Sequence, residues 1–342
     1  MSRSDRLLRA LRGEPVDTTP IWIMRQAGRY LPEYKKTRAR AGDFLTLCKT
    51  PELACEVTLQ PVERLGVDGA ILFSDILIPI EAMGVPLTFA EDAGPRLEPV
   101  RDAAGIDALR VPDPDEELGF VLEAIKLIRG ALGGKVPLLG FSGAPFTLLT
   151  YVVEGQTGKQ FMETKRLLFG APEVAHRLLT KLTDTVIAYL DAQIRAGAQA
   201  VQIFDSWVGQ LGPEDFRTFA APYVARIISA LASHGAPIIY FANDGATLLA
   251  DAAKLGADAL AIDWRLPIAE ARARVGTGVT LQGNLDPCAL FADLPEIERR
   301  VRGILDGARR TRHVFNLGHG ILPPTDPEKA VALVEMVHRL GA

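Results

Sequence analysis

The chain has 342 residues, 48% of them hydrophobic and 23% charged, with a formal net charge of -4. That composition excludes a disordered chain, and no stretch approaches the ~18 uninterrupted apolar residues of a membrane span. Three cysteines (Cys48, Cys55, Cys288) form no C-x-x-C, and arginines stand where a secretory leader needs an apolar run, so a reduced, cytoplasmic setting is expected.

Taken from the N-terminus, residues 1–40 hold ten Lys/Arg against four Asp/Glu, which leaves the rest of the chain acidic. A basic end on an acidic body suggests an anionic partner met near the N-terminus, although Arg3 to Arg12 also fit a solvated basic helix. Nucleic acid is not expected, because the basic stretch is short and carries no binding motif in a chain of pI 5.8.

Short β-rich runs then recur, each followed by a segment of helical spacing. Strands are predicted at 20–25, 69–75, 136–142, 201–206, 236–242, 257–263, 279–284 and 313–318. Most are continuously apolar rather than alternating, as parallel strands buried on both faces are. Pro114, Pro172, Pro213 and Pro327 each sit where the first turn of a helix would begin, and Gly197 sits where the second of these would end. Eight alternations without a linker or repeat predict one domain over 1–342, a single α/β chain folded as a (β/α)8 barrel with its excess length after strands 1 to 3. A doubly wound sheet is the alternative, weakened by the lack of a G-x-G-x-x-G after any strand.

In such a barrel the chemistry stands at the C-terminal strand ends. Those positions hold Arg25, Asp75, Ser142, Asp205 with Ser206, Asn243 with Asp244, Asp263, Asn284 with Asp286, and His319. No lysine stands there, which argues against Schiff-base chemistry, and no metal-ligand spacing of Cys or His occurs, so no metal is expected. The most distinctive segment is Pro20-Ile21-Trp22-Ile23-Met24-Arg25-Gln26-Ala27-Gly28-Arg29-Tyr30-Leu31-Pro32. Two guanidinium forks, with Gln26 and the backbone of Ala27 and Gly28 between them, would make a polyanion cradle at the barrel mouth.

This segment resembles the first signature of the uroporphyrinogen decarboxylase family. Gly140-Phe141-Ser142-Gly143-Ala144-Pro145-Phe146-Thr147-Leu148, continuing to Tyr151, resembles the second. Phe73–Leu77, Gln282–Pro287 and Asn316–Gly320 are similar to further stretches of the family, so the resemblance runs from about residue 4 to the C-terminus. It implies a homodimeric, cytosolic enzyme without a cofactor, which removes four acetate carboxyls from uroporphyrinogen III to give coproporphyrinogen III. It also implies that Arg25, Gln26, Ala27, Gly28 and Arg29 meet substrate carboxylates, with Arg38 as a further basic contact. Asp75 would stand at the cleft centre as the catalytic carboxylate, ionised and accepting from the pyrrole N–H groups, with Tyr151, Ser206 and His319 as its polar lining. Arg25 and Arg29, supported by Tyr151 and His319, are the candidates for proton transfer. Two other classes compete: a related corrinoid- and zinc-dependent methyltransferase, and a tetrapyrrole-binding protein without activity.

Overall fold

Apolar runs buried on both sides need a layer of helices outside and a packed interior inside. The computed structural model describes residues 3–90, 94–156, 158, 160–308 and 312–342. Its strands are β1 (Ala70–Ile71), β2 (Leu87–Ala90), β3 (Gly94–Leu97), β4 (Leu138–Gly143), β5 (Ala200–Asp205), β6 (Ile238–Ala242), β7 (Ala259–Ile262), β8 (Thr280–Gln282) and β9 (His313–Val314). Seven of them form one parallel sheet in the order β1-β4-β5-β6-β7-β8-β9. The protein is therefore an α/β fold on a parallel sheet.

The sheet curls. Gln282 on β8 donates to Gln202 on β5 at 3.0 Å, although two strands separate them in the sheet. Trp22 Nε1 donates to the same Gln282 at 3.0 Å, so a buried polar relay crosses the interior. Each of these buried groups is satisfied, which is what allows polar side chains in a core. Around them Ile239, Phe241, Ala259 and Ala261 face inward with Trp22 and Phe315. The alternate residues Val201, Ile203, Tyr240, Leu260 and Ile262 face outward onto helices such as Pro172–Ala196.

The expected first strand, 20–25, is a correction: the segment makes one β-bridge, Ile21 to Phe315, and no ladder. Trp22 N reaches Phe315 O at 3.4 Å, and three other backbone donors are taken by side chains instead. Ile21 N donates to Asp68 Oδ2 (2.9 Å), Ile23 N to Gln26 Oε1 (3.1 Å) and Met24 N to Asn316 Oδ1 (2.9 Å). The segment nevertheless touches both sheet edges, accepting from Phe315 N through Pro20 O and from Asp68 N through Ile21 O. The same substitution shortens β1 against the expected 69–75, because Phe73 N donates to Thr58 Oγ1 on the Pro51–Leu65 helix.

The helices begin as their prolines predict, at Pro114, Pro172, Pro213 and Pro327, and Gly197 closes the second of these with φ 125°. An antiparallel hairpin, β2 with β3, lies in the length after β1 and was not foreseen. Arg6 of the N-terminal Arg3–Leu11 helix is not solvated as a basic helix would have it. Its guanidinium meets buried Asp68 at 2.7 Å and Asp17 through two hydrogen bonds, while His338 reaches Asp68 from the last helix at 2.7 Å. Among the described residues no helix is long and apolar enough to cross a membrane.

Candidate active site

The loop after Met24 turns at Arg25, whose backbone is left-handed (φ 62°). Gln26 makes this turn. Its side chain is fully buried, accepting from Ile23 N and donating to Gly69 O at 3.1 Å, while its backbone carbonyl accepts from Tyr30 Oη. Gln26 therefore supports the cradle from beneath and does not line it. The consequence is that Arg25 and Arg29 stand exposed, with half-buried Ala27 and Gly28 between them. A Cβ at Gly28 would lie 3.0 Å from the carbonyl oxygen of Arg25, so a side chain there would push on the turn that presents the arginine.

Two groups expected from the strand ends, Asp75 and His319, lie within the field of Arg25. The Arg25 side chain runs across Gly320, where a Cβ would lie 2.7 Å from its Cγ. Its positive charge acts on both Asp75, after β1, and His319, after β9. Burial pushes the half-buried Asp75 carboxyl up, while the Leu77 N–H donating at 2.8 Å and then Arg25 pull it back. His319 is pushed down to about 4, by burial first and by Arg25 and Arg265 next. Its imidazole is consequently neutral near pH 7, able to donate and accept hydrogen bonds but not to serve as a standing acid.

Tyr151 comes from the Pro145–Glu154 helix, which β4 feeds, and its ring centroid lies 6.3 Å from that of Trp207. Ser206 precedes Trp207 at the end of β5 and is half-buried, its carbonyl accepting from Asn243 Nδ2. Arg38 sits on the Pro32–Ala41 helix and donates to Gly42 O at 2.8 Å. Burial raises the Tyr34 phenol, and the charges of Arg38 and Arg29 pull it back.

Several strand-end residues serve the scaffold instead. Asp205 points into the helix layer, where its buried carboxylate accepts from Thr147 Oγ1 (2.7 Å) and Tyr240 Oη (2.8 Å). Burial raises it to about 6 against those two donors. Ser142 is buried and donates to Gly143 O, and Asn284 Nδ2 donates to the carbonyls of Asp263 and Leu266. Cys48 is buried, with its thiol pushed up by burial and by Asp75, whereas Cys288 is exposed. Among the described residues no three His, Cys, Asp or Glu side chains come together as a metal site.

Two features of the site were not anticipated. Phe141, Phe204 and Phe241 form a row of rings on adjacent strands β4, β5 and β6, with centroids 5.6 and 6.0 Å apart, and His319 continues it at 6.1 Å. Phe141 and Phe241 are buried and Phe204 is half-buried, an apolar layer near the strand ends that suits a large ring bearing acids at its edge. The other is Arg265, two residues beyond Asp263, whose charge reaches His319. Nothing local marks the phenylalanines, because strands apolar on both faces carry no alternation to show which residues look inward.

The curled parallel sheet carries guanidinium groups, one half-buried carboxylate and a neutral imidazole at its C-terminal strand ends, which is where an α/β enzyme of this kind places its chemistry. The family model "Uroporphyrinogen decarboxylase" matches residues 2–340, and the chain belongs to that family. It is 56% identical over 339 residues to a uroporphyrinogen decarboxylase of Myxococcus xanthus, covering 99% of this chain and 97% of that one. A uroporphyrinogen decarboxylase of Thioalkalivibrio sulfidiphilus is 54% identical over 345 residues, at 99% and 98% coverage. Among solved structures, a methyltransferase from Methanosarcina mazei superposes over all of both chains with a TM-score of 0.84 at 23% identity, a likeness of fold alone.

Proposed function

We propose that the chain decarboxylates the four acetate side chains of uroporphyrinogen III, giving coproporphyrinogen III and four CO2, without metal or organic cofactor. The observation that carries this reading is the convergence of Arg25 on Asp75 and His319 at one end of the sheet, above the phenylalanine row. Membership of the family over residues 2–340 supports the same substrate.

The chemistry needs an electron sink for the bond that breaks. A proton added to the ring α-carbon next to the carbon that bears the acetate makes the ring a cation, conjugated from that neighbouring carbon through to nitrogen. The C–COO⁻ bond then cleaves, CO2 leaves, and its electron pair neutralises the ring through an exocyclic double bond. A second proton on the exocyclic carbon makes the methyl group, and loss of the first restores the pyrrole. The substrate thus supplies its own sink. Asp75, ionised, accepts hydrogen bonds from the pyrrole N–H groups and stabilises the cation as it forms. Arg25 and Arg29 hold carboxylates in the cradle, with Ala27, Gly28 and Arg38 beside them, and Gln26 keeps the turn in shape. Protons are delivered from the arginine side of the cleft, assisted by Tyr151, while neutral His319 and Ser206 orient substrate through hydrogen bonds.

The reading extends to the fold: the segment 20–24, bonded to both sheet edges, serves as the eighth stave of a single (β/α)8 domain over 1–342. The homodimer and the cytoplasmic setting rest on the family resemblance, and sedimentation of the purified protein tests the former. Asp75→Asn tests the mechanism. It keeps the size and removes the charge, so kcat on uroporphyrinogen should fall ~10²–10³-fold, as loss of one preorganised stabiliser does. Near-normal kcat would remove Asp75 from its role.

A further inference from the structure

We infer that Arg265 is an additional substrate-binding residue, a guanidinium held at the cleft mouth beside His319 to receive a carboxylate of the substrate. The inference rests on the proposed function for the identity of that substrate and adds a residue that neither signature contains.

The sequence around β7 builds this position. Asp263, almost fully buried at the end of the strand, accepts backbone N–H groups from both Asp244 and Arg265, the latter at 2.8 Å. Those two bonds fix the turn in which residue 265 is presented. Trp264 then lies directly against the chain before His319: a Cβ at Gly318 would be 2.6 Å from Trp264 N and 2.9 Å from its Cε3. The guanidinium carbon of Arg265 stacks 4.4 Å above the Trp264 ring centroid, a contact that favours arginine over lysine.

Charge sets the rest. Arg265 Nη1 stands 3.3 Å from Asp263 Oδ1 and Nε stands 3.6 Å from Asp244 Oδ1. Both are ion-pair distances, and Asp263 already accepts two backbone donors. The Arg265 side chain keeps 43% of its surface open, so an incoming anion can reach it. The field of Arg265 falls on His319 together with that of Arg25, which brings two guanidinium groups to bear on one imidazole from different loops. A macrocycle with acids around its whole edge, placed on the phenylalanine row, presents carboxylates to both at once.

The test is steady-state decarboxylation of uroporphyrinogen under anaerobic conditions by the full chain, Arg265→Gln, Arg265→Lys and the double variant Arg265→Gln/Asp244→Asn. Asn tolerates the left-handed backbone of residue 244 (φ 54°), so the double variant tests charge and not strain. Arg265→Gln should raise KM roughly 5- to 30-fold with kcat within about twofold, the loss of one partly exposed charge-assisted contact. Arg265→Lys should recover part of that loss, and the double variant should keep the raised KM. An unchanged KM in Arg265→Gln, or a kcat loss without a KM change, would overturn the inference. So would a double variant with wild-type KM, since Arg265 would then only mask Asp244. A wild-type chain that leaves uroporphyrinogen untouched would instead overturn the functional reading from which the inference starts.

Discussion

Gly320→Ala isolates Arg25 without touching its chemistry. Ile321 N donates to Met24 O at 2.9 Å, so the loop after β9 is pinned against the arginine loop and the two backbones cannot separate freely. A methyl group at 320 would stand 2.7 Å from Arg25 Cγ and 2.9 Å from Nε, both inside van der Waals contact. Gly320 has no left-handed backbone to lose, so the strain falls on Arg25, whose side chain must leave its rotamer and carry the guanidinium several ångströms away. A charge-assisted hydrogen bond of this kind contributes about 1.5–3 kcal/mol, which is ~10- to ~150-fold in kcat/KM. The assay is kcat/KM on uroporphyrinogen alongside a thermal melt, which should move by no more than an overpacked core methyl requires, about 1–3 kcal/mol. A folded variant with kcat/KM within twofold of wild type would refute the placement of Arg25 on substrate carboxylate.

Three further outcomes follow from the same geometry. Burial raises the Asp205 carboxyl from 3.8 to about 6, so the folded state holds a proton that the unfolded chain has already lost across that window. Stability contributed by this group is complete below pH ~4 and lost as pH rises through 6, a change of about 3 kcal/mol. The difference in denaturation free energy between wild type and Asp205→Asn should shift by that amount from pH 4 to 7, and a flat difference would contradict it. Asp68→Asn should cost about 3 kcal/mol, read in urea, by leaving Arg6 and Ile21 N short of their buried acceptor. Its kcat should hold, because this cluster lies at the opposite sheet end from the site. The His319 ring should titrate by NMR with a midpoint near pH 4, and a midpoint above 6 would restore it as an acid at neutral pH.

How far the sequence carried depended on what each residue bonds to. Long apolar runs announced β4 through β8, and proline at the first turn announced the helices, since both signals are local. The arginine loop was legible for the same reason. What escaped was anything decided by partners distant in sequence. The segment 20–24 reads as a strand, yet Asp68 and Asn316 replace neighbouring strands as the partners of Ile21 N and Met24 N. A strand apolar on both faces carries no alternation, so nothing local says which of Asp205 and Ser206 looks inward. Thr147 and Tyr240, far off in sequence, settle that Asp205 looks out. Gln26, between two arginines, looks in sequence like a donor to the substrate, but its buried amide is worth more to the turn that presents them. Arg265 had no motif around it, and only the fold brings it to His319.

The most direct test of the account is incubation of the purified chain with uroporphyrinogen III in the absence of oxygen and the presence of a metal chelator. Oxidation and chromatography then count carboxyl groups on each product. The account predicts hepta-, hexa- and pentacarboxylate intermediates giving way to coproporphyrin with four, at a rate the chelator does not change. Unaltered uroporphyrin with eight carboxyls, or turnover abolished by the chelator, would contradict it.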